Sequence, residues 1–284
     1  MIRLILCLVI IHYSFCSFAQ LTNKTWINRY SHDALILTDD NTFSIESGIF
    51  IKKTGTYCSA NDTIEFVEKE LFSNHTGIEI FTEKRHSYRV LSAVTDRIVL
   101  TRRYGTNFLG YEQDTIIFDD YNSLYDSSFT YRRIYFHTSS CYGLCPDFKI
   151  EIFSNGLVFF YGRLYTGKYK GTYKGFMNNS QQNELLYLLR SCNVRNFPRS
   201  TGIAIDAPER RLIIEYGNDS IDFCGDEPPY SASKLFLYLI NNYKNFKLKK
   251  CVGCRAFIEK SCYEIEREQQ KEFWDNLLKE EKEK

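Results

Sequence analysis

The hexapeptide Cys141-Tyr142-Gly143-Leu144-Cys145-Pro146 lies between two strand-like runs and constrains the middle of the chain more than any other segment. The backbone must leave one strand, turn within six residues and enter another. Gly143 can take a positive φ at little steric cost, Pro146 fixes its own φ and pushes Cys145 towards extended backbone, and two thiols so placed can clamp the turn. Three chemistries are open to it. A structural bridge would close a very small loop, with a chain-entropy gain below the ~3 kcal/mol of a 15-residue loop. A metal site would draw on His137, Cys141 and Cys145, but the His-x3-Cys-x3-Cys spacing suits a helix, the segment reads as strand and turn, and no fourth ligand is evident. A nucleophilic Cys141 with His137 as base lacks a surrounding motif. The structural bridge is favoured on the export argument that follows.

Residues 1–19 read as a signal peptide: Arg3 supplies the positive end, residues 4–15 are largely apolar, and Ser17-Phe18-Ala19 is a small-x-small cleavage site. The apolar run is shorter than the roughly 20 residues a membrane span needs, so no transmembrane segment is expected in the mature chain. Cys7 lies too early for lipid attachment and Cys16 follows Tyr-Ser-Phe rather than small residues. Of the 36 basic residues only Arg3 leaves with the segment, so 35 basic residues face 35 acidic ones and the mature charge is zero. That argues against a nucleic-acid or anionic-membrane partner held by bulk charge. Eight cysteines remain, at positions 58, 141, 145, 192, 224, 251, 254 and 262. In an exported chain they are potential disulfides in a periplasmic, cell-surface or extracellular setting. Cys141–Cys145 and one bridge among Cys251, Cys254 and Cys262 are favoured by closeness, with Cys192–Cys224 next.

The full chain carries 22 Phe and 21 Tyr against 2 Trp, and its apolar residues fall in short runs, which favours sheet. Residues 21–125 read as about eight strands, at 34–37, 42–46, 49–57, 63–67, 78–82, 87–91, 97–101 and 115–118. They are separated by turns such as Asp39-Asp40-Asn41 and Asn61-Asp62 and form an antiparallel meander or small barrel. The polar stretch 122–128 marks a boundary. Residues 131–246 read as strands at 132–137, 148–153, 157–161 and 168–173, a helix at 181–192 with Leu185, Leu186, Leu188 and Leu189 as its stripe, strands at 210–216 and 220–223, and a helix at 234–243. Asn155-Gly156 and Gly217-Asn218 are hairpin turns. The fold class expected is α+β, with two helices on one face of an antiparallel sheet. Residues 247–284 form a cysteine-containing tail with a long helix from Arg255 onward, which packs back on the body or holds a partner through one stripe.

Trp26, Gly55-Thr56-Tyr57 and the strand Asp96-Arg97-Ile98-Val99-Leu100 resemble the lipocalin-like domains of small bacterial envelope proteins. The cysteine turn, the strand after it, Asn155-Gly156, the aromatic strand to Gly162, then Asp206, the 210–216 strand and the Pro228-to-helix segment resemble a bacterial exported domain of unknown function over about residues 131–245. Its opening signature is Cys-x-Gly-x-Cys-Pro. That resemblance implies export and an α+β fold and supplies no catalytic residue.

The remaining constellations have plain readings. Cys251-x-x-Cys254 at a helix start, beside Lys247, Lys249 and Lys250, could be a redox dithiol, but no βαβ context precedes it and Cys262 offers a structural partner. Lys168, Lys170, Thr172 and Lys174 alternate with Tyr169 and Tyr173 as an amphipathic strand would. Asp206, Glu209, Asp226 and Glu227 are acids around turns with no spacing that links them. His32, His75 and His86 read as scattered and exposed. No catalytic residue, metal or cofactor is assigned. The expected function is a non-enzymatic binding or interaction module for an unidentified ligand or envelope protein, with a thiol-disulfide oxidoreductase or cysteine-dependent envelope enzyme as the alternative.

Overall fold

A computed structural model describes residues 21–48, 50–73, 79–104, 114–202, 206–254, 259–265, 267–268 and 271. The expected signal peptide, His75 and most of the expected tail helix lie outside these residues. The chain divides into two compact units, Met1–Tyr125 with Pro229–Ser231, and Asp126–Pro228 with Ala232–Lys284.

The first unit is a closed barrel of eight antiparallel strands in sequence order: β1 (Lys24–Asn28), β2 (Ala34–Leu37), β3 (Thr42–Ser47), β4 (Phe50–Ala60), β5 (Thr63–Ser73), β6 (Glu79–Val94), β7 (Arg97–Tyr104) and β8 (Thr115–Asp120). Closure comes from β1 pairing with β8 at Ile27↔Asp119, where the Asp119 carboxylate accepts from both Arg29 and Arg97. β1 is absent from the sequence reading, although Asn23 at φ +57° forms the turn directly in front of it. The two strands expected at 78–82 and 87–91 are one, the 16-residue β6, because 83–86 carries no turn residue and pairs with β5 throughout. Asn41 adopts φ +62°, as the Asp39-Asp40-Asn41 hairpin requires.

Alternation puts one face of each strand inside, and the inside is filled with side chains: Phe66 packs within 5.1 Å of Phe43 and 6.0 Å of Tyr88, centroid to centroid, and Trp26 is fully buried with its Nε1–H donated to the Leu21 carbonyl at 2.9 Å. Gly55 is needed where β4 meets β5, because a Cβ there would stand 2.1 Å from the Val67 carbonyl oxygen. Two histidines expected at the surface are inside: His32 and His86 are 9% and 2% exposed. His86 sits on the inward register of β6 and its Nε2 lies 3.4 Å from Glu68.

The second unit is α+β. Its eight-stranded sheet runs in the order β13-β15-β14-β9-β10-β11-β12-β16, from β9 (Arg133–Thr138), β10 (Asp147–Phe153), β11 (Leu157–Leu164), β12 (Gly171–Phe176), β13 (Ser200–Gly202), β14 (Arg210–Tyr216), β15 (Asp219–Gly225) and β16 (Lys249–Lys250). All pairs are antiparallel except β13 with β15. Two helices pack on it, α1 (Asn179–Ser191) and α2 (Ser233–Asn242), and the tail adds a helical run among the described residues. α1 starts at a capping box, with Asn178 accepting from the Gln181 N–H while the Gln181 side chain accepts from the Asn178 N–H, both at 2.9 Å. Its stripe buries Leu185 and Leu189 against the sheet. The strand expected at 168–173 starts later, at Gly171. That glycine has φ +97°, which breaks an extended run, so Lys168 and Lys170 lie in the turn before it and Tyr169 is buried in the core.

Candidate functional site

Alternation gives the sheet of the second unit two unlike faces. Ile134, Phe136, Phe148, Ile150, Ile152, Phe160, Leu212, Ile214 and Phe223 form the core with α1 and α2. The intervening positions near the sheet centre are mainly polar, with Ile213 beside Tyr135 an apolar exception: Arg133, Tyr135 and His137 on β9, Lys149 and Glu151 on β10, Arg211 on β14, Asp222 on β15. Register sets His137 between Lys149 and Arg211, and Tyr135 beside Glu151. A polar face of an antiparallel sheet ordinarily meets water. Here Tyr135 is 0%, Glu151 1% and His137 5% exposed, which requires a cover and partners for each group.

The cover is the tail. Residues 259–261 cross the face as coil, and 262–265, 267, 268 and 271 are helical. Arg133 binds Glu151, Glu259 and, at 2.9 Å, Glu215. Burial disfavours the Arg133 cation, but the carboxylates around it raise its pKa above the ordinary arginine value. Lys149 donates to the Glu259 carbonyl at 3.2 Å, and Arg211 reaches both Asp222 and the Lys260 carbonyl. The helical run begins with a second capping box, Glu264 N–H to Ser261 Oγ at 3.1 Å and Ser261 N–H to the Glu264 carboxylate. The N–H groups of Cys262 and Tyr263, orphans of that first turn, both donate to the Glu209 carboxylate, the latter at 3.0 Å. His137 Nδ1 stands 3.5 Å from the same carboxylate, the outer limit of a hydrogen bond. Burial pushes the Glu209 pKa up, but the His137 contact and the two N–H bonds outweigh it, so Glu209 titrates below the usual carboxylate range. A disulfide from Cys224 on β15 to Cys262 fastens the tail to the sheet, with Cα atoms 5.8 Å apart.

Beside this covered face opens a cleft of about 1010 Å³, lined by His137, Ser139, Asp147, Lys149, Tyr161, Arg163, Asp206, Glu209, Tyr263 and Glu264. Sheet and tail each supply part of its wall. Ser139 Oγ donates to the Ser140 carbonyl and accepts the Glu209 N–H at 2.9 Å, and Arg163 stands 3.5 Å from the buried Asp147. Hydrogen bonds from Ser261 hold the Glu264 pKa down, so its carboxylate, like that of Glu209, is ionised at neutral pH. Chemically the wall offers fixed carboxylates, two cations and two tyrosine rings to a polar ligand. A second cleft, of about 790 Å³, borders both Cys224 and Cys262, with Arg195, Arg199, Tyr216 and Asp222 in its lining.

Cys141 and Cys145 are joined, Cα atoms 5.5 Å apart, and Cys251 and Cys254 are joined at 5.7 Å. The expected Cys192–Cys224 bridge does not form. Cys192 is a buried thiol at the end of α1, pushed far above the ordinary thiol pKa by burial, and Cys224 reaches Cys262 instead. The separation of Cys192 from Cys224 in the fold follows from the core lying between the helix and the polar sheet face. Cys251 and Cys254 are themselves not helical, and the next described helical residue is Cys262. Gly143 lies outside the left-handed region; its N–H faces Cys141 Sγ at 3.2 Å, and a Cβ there would meet only that sulfur, at 3.7 Å. Pro146 sits in the segment leading into β10. Tyr142 and Leu144 on the pinned turn are 91% and 81% exposed, and the Tyr142 N–H donates to the Asp206 carbonyl, which ties the turn to one rim of the large cleft. Among the described residues, no three His, Cys, Asp or Glu side chains group as a metal ion would need. Sequence reasoning missed the pairing of His137 with Glu209, 72 positions apart; only the register of β9 against β14 could have revealed it.

No helix among the described residues is long and apolar enough to cross a membrane. No curated protein and no solved structure matches the chain. Residues 132–241, which hold the cysteine turn, most of the sheet and nearly all of α2 but not Cys262 or the covering tail, are similar to the family model described as a domain of unknown function, DUF6438.

Proposed function

We propose that this chain is exported to the periplasm or the cell surface and acts as a non-enzymatic binding module. Its binding surface is the cleft between the polar sheet face and the tail. The observation that carries the reading is the state of the cleft wall: Glu209 is held through its carboxylate by the Cys262 and Tyr263 N–H groups and through its own N–H by Ser139, so the surface is ordered before any ligand arrives. Prepaid ordering of this kind favours binding. The pinned turn adds two exposed apolar side chains, Tyr142 and Leu144, next to the same rim, and tyrosine is enriched where proteins meet partners. Three disulfides support an oxidising compartment, as does the leader-like start of the sequence. The closed eight-stranded meander of the first unit fits a lipocalin-like plan in strand number and order, with its interior filled by aromatic side chains.

The test is a thermal-shift screen of the mature protein with cationic, zwitterionic and neutral polar ligand sets and with extracts of envelope proteins, followed by titration of each hit against Arg163→Ala and Asp147→Asn. A ligand that binds the folded state raises Tm in proportion to its saturation. Hits that lose most of their shift in both variants support the cleft as the site; hits unaffected by either place binding elsewhere and overturn the assignment.

A further inference from the structure

We infer that the Cys224–Cys262 bridge is a reducible clasp that a dithiol can open, so that the cleft is complete only in an oxidising compartment. The inference rests on the cleft being the binding surface. Three observations carry it. The clasp is the only described bridge that joins distant segments, with a separation of 38 residues against 4 and 3 for the other two. It holds in place the tail residues Ser261, Tyr263 and Glu264, which form part of the cleft wall. Both of its cysteines border the second cleft, whose lining includes Arg195 and Arg199. That cleft, which two guanidinium groups line together with the carboxylates of Asp219 and Asp222, gives an incoming thiolate, the species that attacks disulfides, a polar approach to the half-buried Cys224.

Cys262 is buried and Cys224 half-buried, so attack falls on Cys224 Sγ. The reductant's thiolate forms a bond to that sulfur as the bond to Cys262 Sγ breaks. The electron pair leaves on Cys262 Sγ, which takes a proton and can donate to the Arg210 carbonyl, 3.7 Å away. The reductant's second thiol then loses its proton and displaces Cys224, which takes up a proton in turn. The products are two protein thiols and one oxidised dithiol, with two electrons transferred to the protein. Without the clasp, the described tail residues keep their hydrogen bonds and ion pairs to the face but lose their covalent link to it, and the His137–Glu209 pair becomes open to water.

Dithiothreitol serves as the dithiol probe on the full mature chain carrying Cys141→Ser, Cys145→Ser, Cys251→Ser and Cys254→Ser, with alkylation mapped by mass spectrometry and hydrogen exchange followed at the Tyr263 amide. The buried Cys192 reports global unfolding. Cys224 and Cys262 should alkylate fully at reductant concentrations that leave Cys192 unmodified, and the Tyr263 amide should exchange about a hundredfold faster. Alkylation of the pair only together with Cys192, or unchanged Tyr263 exchange after complete reduction, overturns the inference. If the fourfold variant does not fold, the native chain gives the same two readouts site by site. Neither readout uses a ligand, so a failed ligand screen and a failed clasp are told apart.

Discussion

Replacing Glu209 by Gln removes one charge and leaves the volume of the side chain nearly unchanged. In the native protein that carboxylate accepts from the Cys262 and Tyr263 N–H groups and faces His137 Nδ1 at 3.5 Å. Hydrogen bonds to a charged acceptor contribute about 1.5–3 kcal/mol each, and neutral ones about half of that. The variant keeps one oxygen acceptor, so the tail should be held more weakly by about 2–4 kcal/mol. Read as exchange of the Tyr263 amide at neutral pH, that is roughly a 30- to 1,000-fold acceleration. The effect has a definite sign with pH. The folded pKa of Glu209 is depressed, so its contribution is fully present above the unfolded carboxyl value of about 4.3 and is lost as pH falls through the folded value. The wild type should therefore lose protection at Tyr263 on acidification, and Glu209→Gln should lose that part of the dependence. A variant whose Tyr263 amide exchanges within about threefold of wild type, with the same acid profile, refutes the role given to this carboxylate.

The remaining expectations concern the clasp, the glycines and the core. Cys224→Ser with Cys262→Ser should lower stability by about 3–4 kcal/mol, read as a shift of the urea midpoint of the second unit. Gly55→Ala should cost about 3 kcal/mol and broaden barrel resonances, because its Cβ cannot coexist with the Val67 carbonyl 2.1 Å away. Gly143→Ala should fall within about 0.5 kcal/mol of wild type and leave the Cys141–Cys145 bridge intact in a non-reducing digest. Leu189→Ala, at a fully packed position under the sheet, should cost about 2–5 kcal/mol by thermal denaturation.

Local patterns made much of this fold legible. Asp39-Asp40-Asn41, Asn155-Gly156 and Gly217-Asn218 mark their hairpins because positive φ is cheap for Asn and Gly, and the leucines of α1 mark its buried stripe because helical periodicity survives in any context. The merging of two expected strands into β6 was not legible, since nothing in residues 83–86 argues for or against continuing. Gly171 hid a strand boundary inside an alternating Lys-Tyr run for a related reason: alternation persists through a left-handed residue. The candidate site was the least legible part. Arg133, Lys149 and Arg211 carried no signal in the sequence, His137 was weighed only with Cys141 and Cys145, and the Ser261-Cys-Tyr-Glu264 capping box was lost within an expected longer helix. What makes those residues a site is the tail lying over them, which depends on the partner of Cys224. Eight thiols allow 105 pairings; Cys262 was grouped with Cys251 and Cys254 by closeness, which left Cys224 to Cys192 on the ground that a helix end and a strand end can meet across a domain.

The measurement that tests the central claim most directly is a non-reducing proteolytic digest of the mature protein with its thiols blocked before unfolding, mapped by mass spectrometry. A linked peptide pair containing Cys224 and Cys262, with Cys192 recovered as a thiol that is blocked only after denaturation, is the expected result. A Cys192–Cys224 peptide pair, or Cys262 blocked as a free thiol in the native protein, would mean that the tail does not lie clasped on the polar sheet face, and the cleft described between them would not exist.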